Sequence, residues 1–254
     1  MSAKAPLRRS SSFFLPMLLM RKKKRHALKA LYYFCSAVDD AVDEAPTKGE
    51  ARKNLEFWRN EIENIYVTQE PPSNEIARQL GIAIWQYKLP RQPFEDLLNG
   101  MEFDCGGKVE INSEAELEKY CYCVAGTVGL QSMRIFGVIG TQADEFAIEL
   151  GQALQLTNIF RDREKDKELN RSYIPAKWGD ERLKKLISKA EKSFEKVIEL
   201  EKNLPSRKLL PALLMRDIYY CKLNRLKRKK LPKPLPLSFY VSLFLNAVRY
   251  YVKL

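Results

Sequence analysis

The stretch LYYFCSAVDDAVDE, residues 31–44, decides the fold. It places four acids within six residues, Asp39 to Glu44, inside a chain of net charge +12. Asp39 and Asp43 stand four apart, so on a helix they share one face. Like charges at that spacing destabilise an isolated helix by a few tenths of a kcal/mol, and a divalent cation would offset that repulsion. Tyr32 and Ser36 extend the same stripe toward the N-terminus.

A second stretch, QLTNIFRDREKD at 155–166, repeats the pattern. Asp162 and Asp166 are again four apart. Gln155, Asn158, Asp162 and Asp166 fall at offsets 0, 3, 7 and 11, one polar stripe on a helix whose Leu150, Leu154 and Ile159 point mostly elsewhere. Such a stripe suits the mouth of a polar pocket better than a core. Carboxylates and an amide without histidine or paired cysteines suit hard Mg²⁺ rather than zinc. Arg161 and Arg171 stand close enough in sequence to hold phosphate oxygens. The local inference is metal-bridged binding of a diphosphate. A lone pair of this kind is usually a solvated helix face; two pairs with an adjoining Gln and Asn weigh against that.

Composition narrows the rest. One histidine, His26, excludes histidine-rich metal sites and relays. It adjoins a charge run, which favours a surface position. Eleven glycines and no GxGxxG or GxxxxGK[ST] argue against dinucleotide and P-loop folds. Five cysteines at unpaired spacings imply reduced thiols and a cytoplasmic setting. No uncharged run reaches the ~18–20 apolar residues of a membrane span. Basic residues before an apolar start mimic a signal peptide, but Pro16 and the RKKKR run at 21–25 argue against one.

Helical periodicity dominates, with breaks at Pro46, Pro71-Pro72 and Pro175. Helices are expected over about 17 or 22 to 43, 48–66, 74–87, 93–103, 113–136, 144–167, 182–203 and 209–229. Ser113 and Glu116 form a capping box. Pro232, Pro234 and Pro236 set off a proline-hinged C-terminal segment, 231–254. The expectation is one all-α domain over 1–254.

These motifs, with GMEFD at 100–104, YCYCVAGTVG at 120–129 and RSYIP at 171–175, resemble the squalene/phytoene synthase family. Within it the bacterial presqualene diphosphate synthases look nearest; phytoene and dehydrosqualene synthases share the motifs. The resemblance implies a single-domain class I isoprenoid synthase fold, all-α, with a central apolar pocket. It implies two or three Mg²⁺ ions on Asp39, Asp43, Asn158, Asp162 and Asp166, and no NADPH. Ser12, Phe13, Gln155, Asn158, Arg161 and Arg171 would bind substrate. Tyr32, Tyr120 and Tyr219 would join the acids around the reaction centre. The implied substrate is farnesyl diphosphate, condensed in pairs to presqualene diphosphate. One departure is Ser36, where the family usually carries arginine.

The basic clusters at 21–25 and 222–230 suggest peripheral contact with an acidic membrane, on its inner face. No nucleic-acid motif accompanies them. The competing class is a non-catalytic basic helical module binding acidic lipids. It explains the charge but not the two acidic pairs.

Overall fold

The computed structural model describes residues 14–68, 70–106, 109–228, 239, 242–243 and 245–248. Ten α-helices order the described part of the chain. They are α1 (Phe14–Leu18), α2 (Lys22–Asp43), α3 (Lys48–Glu63), α4 (Glu75–Tyr87), α5 (Gln92–Met101), α6 (Glu114–Cys121), α7 (Thr127–Phe136), α8 (Thr141–Glu168), α9 (Gly179–Leu200) and α10 (Ser206–Lys227). The sequence-based bounds agree to within a few residues at most ends. One two-residue parallel pair, β1 (Val109–Glu110) with β2 (Arg171–Ser172), is an addition the helical periodicity did not signal.

Local chemistry sets several helix starts. Thr47 accepts from the Glu50 amide, and Asn74 Oδ1 accepts from the Ala77 amide at 2.8 Å. Ser113 Oγ accepts from the Glu116 amide at 3.1 Å, as the capping box requires. The Glu116 carboxylate reaches back one residue further than that motif does, to the Asn112 amide at 2.7 Å. Gly137, at φ 72°, ends α7 in the left-handed region that glycine tolerates without a Cβ penalty.

The rod expected over 113–136 is continuous but not uniform. Tyr122–Gly126 forms a wide π-turn between α6 and α7. It lies where α8 comes closest. A Cβ on Gly151 would meet the Ala125 carbonyl carbon and the Gly126 nitrogen at 2.7 Å each. A Cβ on Gly129 would meet the Ala147 carbonyl oxygen at 2.7 Å. Bare backbone therefore faces bare backbone at this crossing. A second π-turn, Asn64–Thr68, prolongs α3 to the end anticipated near Tyr66.

Helix α8 runs through the middle of the molecule. Its buried residues, among them Phe146, Leu150, Ala153, Leu156 and Ile159, lie on several sides rather than one stripe. On α2, Leu31, Phe34, Val38 and Val42 form one buried face. Phe34 meets Trp58 and Phe94 edge-on, each at 5.5 Å between ring centroids. Of the proline-hinged segment, the buried Leu243 and the Asn246–Asp217 hydrogen bond at 3.1 Å dock what is described. Ser12 and Phe13 lie outside the described residues.

The glycine crossing fixes the spacing of α8 from the α6–α7 rod. We expect Gly151→Ala to cost about 1–3 kcal/mol by overpacking, a melting-temperature drop of several degrees for a chain this size. Calorimetric melting checks it; an unchanged transition would mean that the crossing yields without cost.

Candidate active site

Helices α2 and α8 face one another across an apolar cavity of about 240 Å³. Leu28, Leu31, Tyr32 and Cys35 line it from α2; Leu150, Leu154, Gln155 and Asn158 line it from α8. Val128 and Met133 of α7 and Ala212, Met215 and Tyr219 of α10 close the sides. One and two turns past this lining, α2 carries Asp39 and Asp43, and α8 carries Asp162 and Asp166. Both helices therefore deliver their acids to the same end of the cavity.

Arg171 straps that end together. Its guanidinium donates to both Asp43 oxygens, Nη2 to Oδ1 at 2.5 Å and Nη1 to Oδ2 at 3.3 Å. The β1–β2 pair holds the strand that carries Arg171. Behind it lies buried Asp104, in a 3₁₀ turn at Asp104–Gly106. Asp104 accepts from Tyr173 Oη at 2.6 Å and Tyr120 Oη at 3.1 Å, and the two tyrosine rings stack at 4.9 Å.

Crowding shows in the acidities. Asp39 meets solvent at the cleft mouth yet is ringed by protein, and its carboxyl is pushed up to about 7. Desolvation is the largest cause, followed by the charges of Asp43, Asp104 and Asp40; Arg171 opposes them. Asp166 is pushed up to about 6, by desolvation and then Asp162, again against Arg171. Burial also raises Asp104. Burial and the Asp39 charge push the Cys35 thiol up to about 12.

The opposite rim is basic. Arg161 forks onto its neighbour Asp162, Nε to Oδ1 at 2.8 Å and Nη2 to Oδ2 at 2.6 Å, and also donates to Tyr219. Lys222 Nζ stands 4.2 Å from the Tyr219 ring centroid. Burial and the Arg161 charge bring its pKa down to about 8. Between the rims, the buried Asn158 Oδ1 has no hydrogen-bond partner.

The residues singled out in the sequence thus fall into three groups. Tyr32, Gln155, Asn158 and Tyr219 line the cavity. Asp39, Asp43, Asp162, Asp166, Arg161 and Arg171 ring its open end, with both arginines engaged by carboxylates. Tyr120 is outside the cavity lining and turned onto Asp104. Ser36 is half-buried on α2, and His26 is exposed. Sequence spacing missed Asp104, Tyr173 and Lys222. The available signal for Asp104 was its place at the end of the GMEFD motif, 100–104, which was quoted for the resemblance but given no role.

The squalene/phytoene synthase profile matches residues 7–240. The chain belongs to the squalene/phytoene synthase family. It is 36% identical over 168 residues to a presqualene diphosphate synthase of Zymomonas mobilis, covering 66% of this chain and 57% of that protein. It is 39% identical over 166 residues to a phytoene synthase of Thermus thermophilus, covering 65% and 55%. The match spans little more than half the length of these relatives. A ligand-bound dehydrosqualene synthase superimposes with a TM-score of 0.81 at 24% identity, over 95% of this chain and 92% of that one. A squalene synthase of Alicyclobacillus acidocaldarius gives 0.75 at 23%, over 88% and 89%. The fold is the all-α isoprenoid synthase fold.

The donor set of this family member fits Mg²⁺. Among the described residues no three acidic, histidine or cysteine side chains converge as a complete cage. Mg²⁺ needs none, because it usually takes one or two carboxylates and completes its shell with water and substrate phosphates. The unpartnered Asn158 oxygen would offer a further hard donor.

A pH effect follows from Asp39. Its folded pKa, about 7, lies above the ordinary 3.8. Below about 4 the group is protonated folded or unfolded and costs nothing; as pH rises toward 7 its ionisation increasingly favours the unfolded chain. Asp39→Asn should therefore raise the melting temperature of the metal-free protein at pH 8 and leave it nearly unchanged at pH 4. Melts in chelator at both pH values test this; equal shifts would discount the crowding.

Proposed function

We propose that this chain is a Mg²⁺-dependent head-to-head prenyltransferase that condenses two farnesyl diphosphates to presqualene diphosphate and releases diphosphate. The observation that carries the reading is an apolar cavity ending between two carboxylate-bearing helices, with the Asn158 oxygen unpartnered at the join. Asp39, Asp43, Asn158, Asp162 and Asp166 would hold the metal. When bound, Mg²⁺ neutralises diphosphate oxygens and stabilises the leaving charge.

The chain's own residues do the rest. Arg161 and Arg171 are positioned to exchange a carboxylate for phosphate oxygens. The apolar walls keep water from the allylic cation that forms as the first diphosphate departs. Tyr32 and Tyr219 offer it ring faces. The C2–C3 double bond of the second prenyl chain then forms the new carbon–carbon bond, and loss of a proton closes the cyclopropane. A cavity of about 240 Å³ lies below the usual range for bound ligands. A C15 chain demands less displacement of its walls than a C20 chain, which supports farnesyl over geranylgeranyl diphosphate. The relative from Thermus thermophilus supports the runner-up, a phytoene synthase; a dehydrosqualene synthase is the other alternative product.

We expect Asp162→Asn to lower turnover by several orders of magnitude while the melting transition survives. Diphosphate release with C15 and C20 substrates, with products identified by mass spectrometry, measures it. Near-normal turnover in that variant would remove the metal assignment; a C40 product would move the chain to the phytoene branch. If the wild type releases no diphosphate, the lipid-binding module takes its place.

For the peripheral membrane contact we propose the N-terminal end of α2. Helix α2 is 22 residues long, about 33 Å. Its acidic end is Asp39–Asp43; its other end begins at Lys22. There Lys24 Nζ donates to the Phe136 carbonyl at 2.7 Å and Lys208 Nζ to the Gly137 carbonyl at 3.2 Å. Leu18, Leu19 and Ile139 are exposed in the neighbouring segments, and Met17 and Phe136 line the cavity. An apolar product leaving that end would meet a cationic, partly apolar surface, which suits the inner face of an anionic membrane. No helix among the described residues is long and apolar enough to cross one. Co-sedimentation with anionic vesicles should weaken with salt and with Leu18→Ser plus Leu19→Ser. Equal binding to neutral vesicles would count against it.

A further inference from the structure

Helix α4 turns an apolar stripe outward. Ile82 and Trp85 stand three apart, on the side away from the buried Leu80, Ala83 and Ile84, and are 59% and 64% exposed. The chain's other two tryptophans, Trp58 and Trp178, are buried. Val67, also exposed, belongs to the π-turn Asn64–Thr68, which leans on α4. A Cβ on Gly81 would touch the Ile65 side chain at 3.7 Å, and Tyr66 Oη donates to the Leu89 carbonyl at 2.8 Å. Cations flank the stripe: Arg78 lies one turn before Ile82, and exposed Lys88 caps the helix. The only acid of α4, Glu75, is engaged by Arg78 at 3.7 Å and by Gln79 Nε2 at 2.7 Å.

The stripe belongs to the end of the molecule where α2 begins. The link after α4 is tied to α7, where the Pro90 carbonyl accepts from Gln131 Nε2 at 2.8 Å. Five residues further along α7, about 7.5 Å, the Phe136 carbonyl accepts from Lys24. The end of α4 and the cationic start of α2 are therefore anchored to the same last two turns of α7. A second copy of the chain is a poor occupant for this face. Three such side chains expose roughly a few hundred Å² together, short of the ~800 Å² per partner of a stable interface. A two-fold contact would also bring like cations together on a chain of net charge +12. An anionic bilayer meets both conditions. Indole and aliphatic groups enter the boundary between headgroups and acyl chains while Arg78 and Lys88 stay with the phosphates.

We propose that Ile82 and Trp85, with Val67, insert into the surface of an anionic membrane as a second point of attachment. The proposal rests on the peripheral membrane contact at the start of α2 and adds a separate surface to it. Two attachment points, unlike one, fix the tilt of the molecule, and with it the direction in which the cavity end at Met17 and Phe136 faces the lipid.

The test uses the tryptophan itself, since a change in emission on vesicle binding reports the exposed Trp85. With phosphatidylglycerol vesicles the wild-type emission should shift to the blue, and lipids brominated on their acyl chains should quench it. Phosphatidylcholine vesicles should do neither. Trp85→Ser should lose both signals, co-sediment about tenfold more weakly and melt as the wild type does. Ile82→Ser, which keeps the reporter, should weaken binding and reduce the quenching. Wild-type binding to anionic vesicles with emission unshifted and unquenched overturns the proposal alone and leaves the α2 contact standing. A blue shift that follows protein concentration without lipid, with a doubled mass in light scattering, assigns the face to a second copy and also overturns it. Absence of binding to anionic vesicles removes it together with the membrane contact on which it rests.

Discussion

Carboxylates that repel one another at the open end of the cavity are the constraint around which the molecule is arranged. Asp39, Asp43, Asp104 and Asp166 all feel the same cation, Arg171, as a lowering influence or direct partner. A single guanidinium cannot neutralise four acids; burial first, and then the neighbouring carboxylates, raise the pKa values of Asp39, Asp104 and Asp166. The protein holds the cluster by making its supports stiff. Arg171 is fixed by a strand pair, and Asp104 is clamped by two stacked tyrosines. An isolated pair of helices with these sequences would turn its acids to water. Here the buried faces of α2 and α8 leave their acids no other direction.

That rigidity begins far from the acids. Gly129 and Gly151 let α7 and α8 approach backbone to backbone, and the π-turn before α7 occurs at the same crossing. The cavity lies beside it, lined partly by those two glycines. Small residues at the crossing thus serve two ends. They set the depth at which α8 is buried, and they form part of the cavity wall.

Much of this was legible in the sequence because it is local. A four-residue spacing on a helix declares a face, so the Asp39–Asp43 and Asp162–Asp166 pairs and the Gln155–Asn158 stripe could be read without tertiary information. Helix ends set by Ser113, Asn74 and proline pairs were legible for the same reason. The Asp104–Tyr120–Tyr173 cluster was not, because three distant segments build it and none carries a periodic signal. Tyr120 was assigned to the reaction centre by resemblance; its hydroxyl is spent on Asp104. Lys222 was hidden by its neighbours, since a basic run on a helix gives no sign of which member turns inward. The β1–β2 pair is too short to leave a pattern.

Cys35 adds a chemical consequence. Its sulfur belongs to the cavity wall, and thiolate rather than thiol is the nucleophilic form. Burial and the adjacent Asp39 charge hold it protonated far above neutral pH. The same acid crowding that strains the open end therefore silences the one soft nucleophile on α2 inside the cavity. A wall that carries a thiol in place of a thiolate presents a far weaker nucleophile to any electrophile held against it.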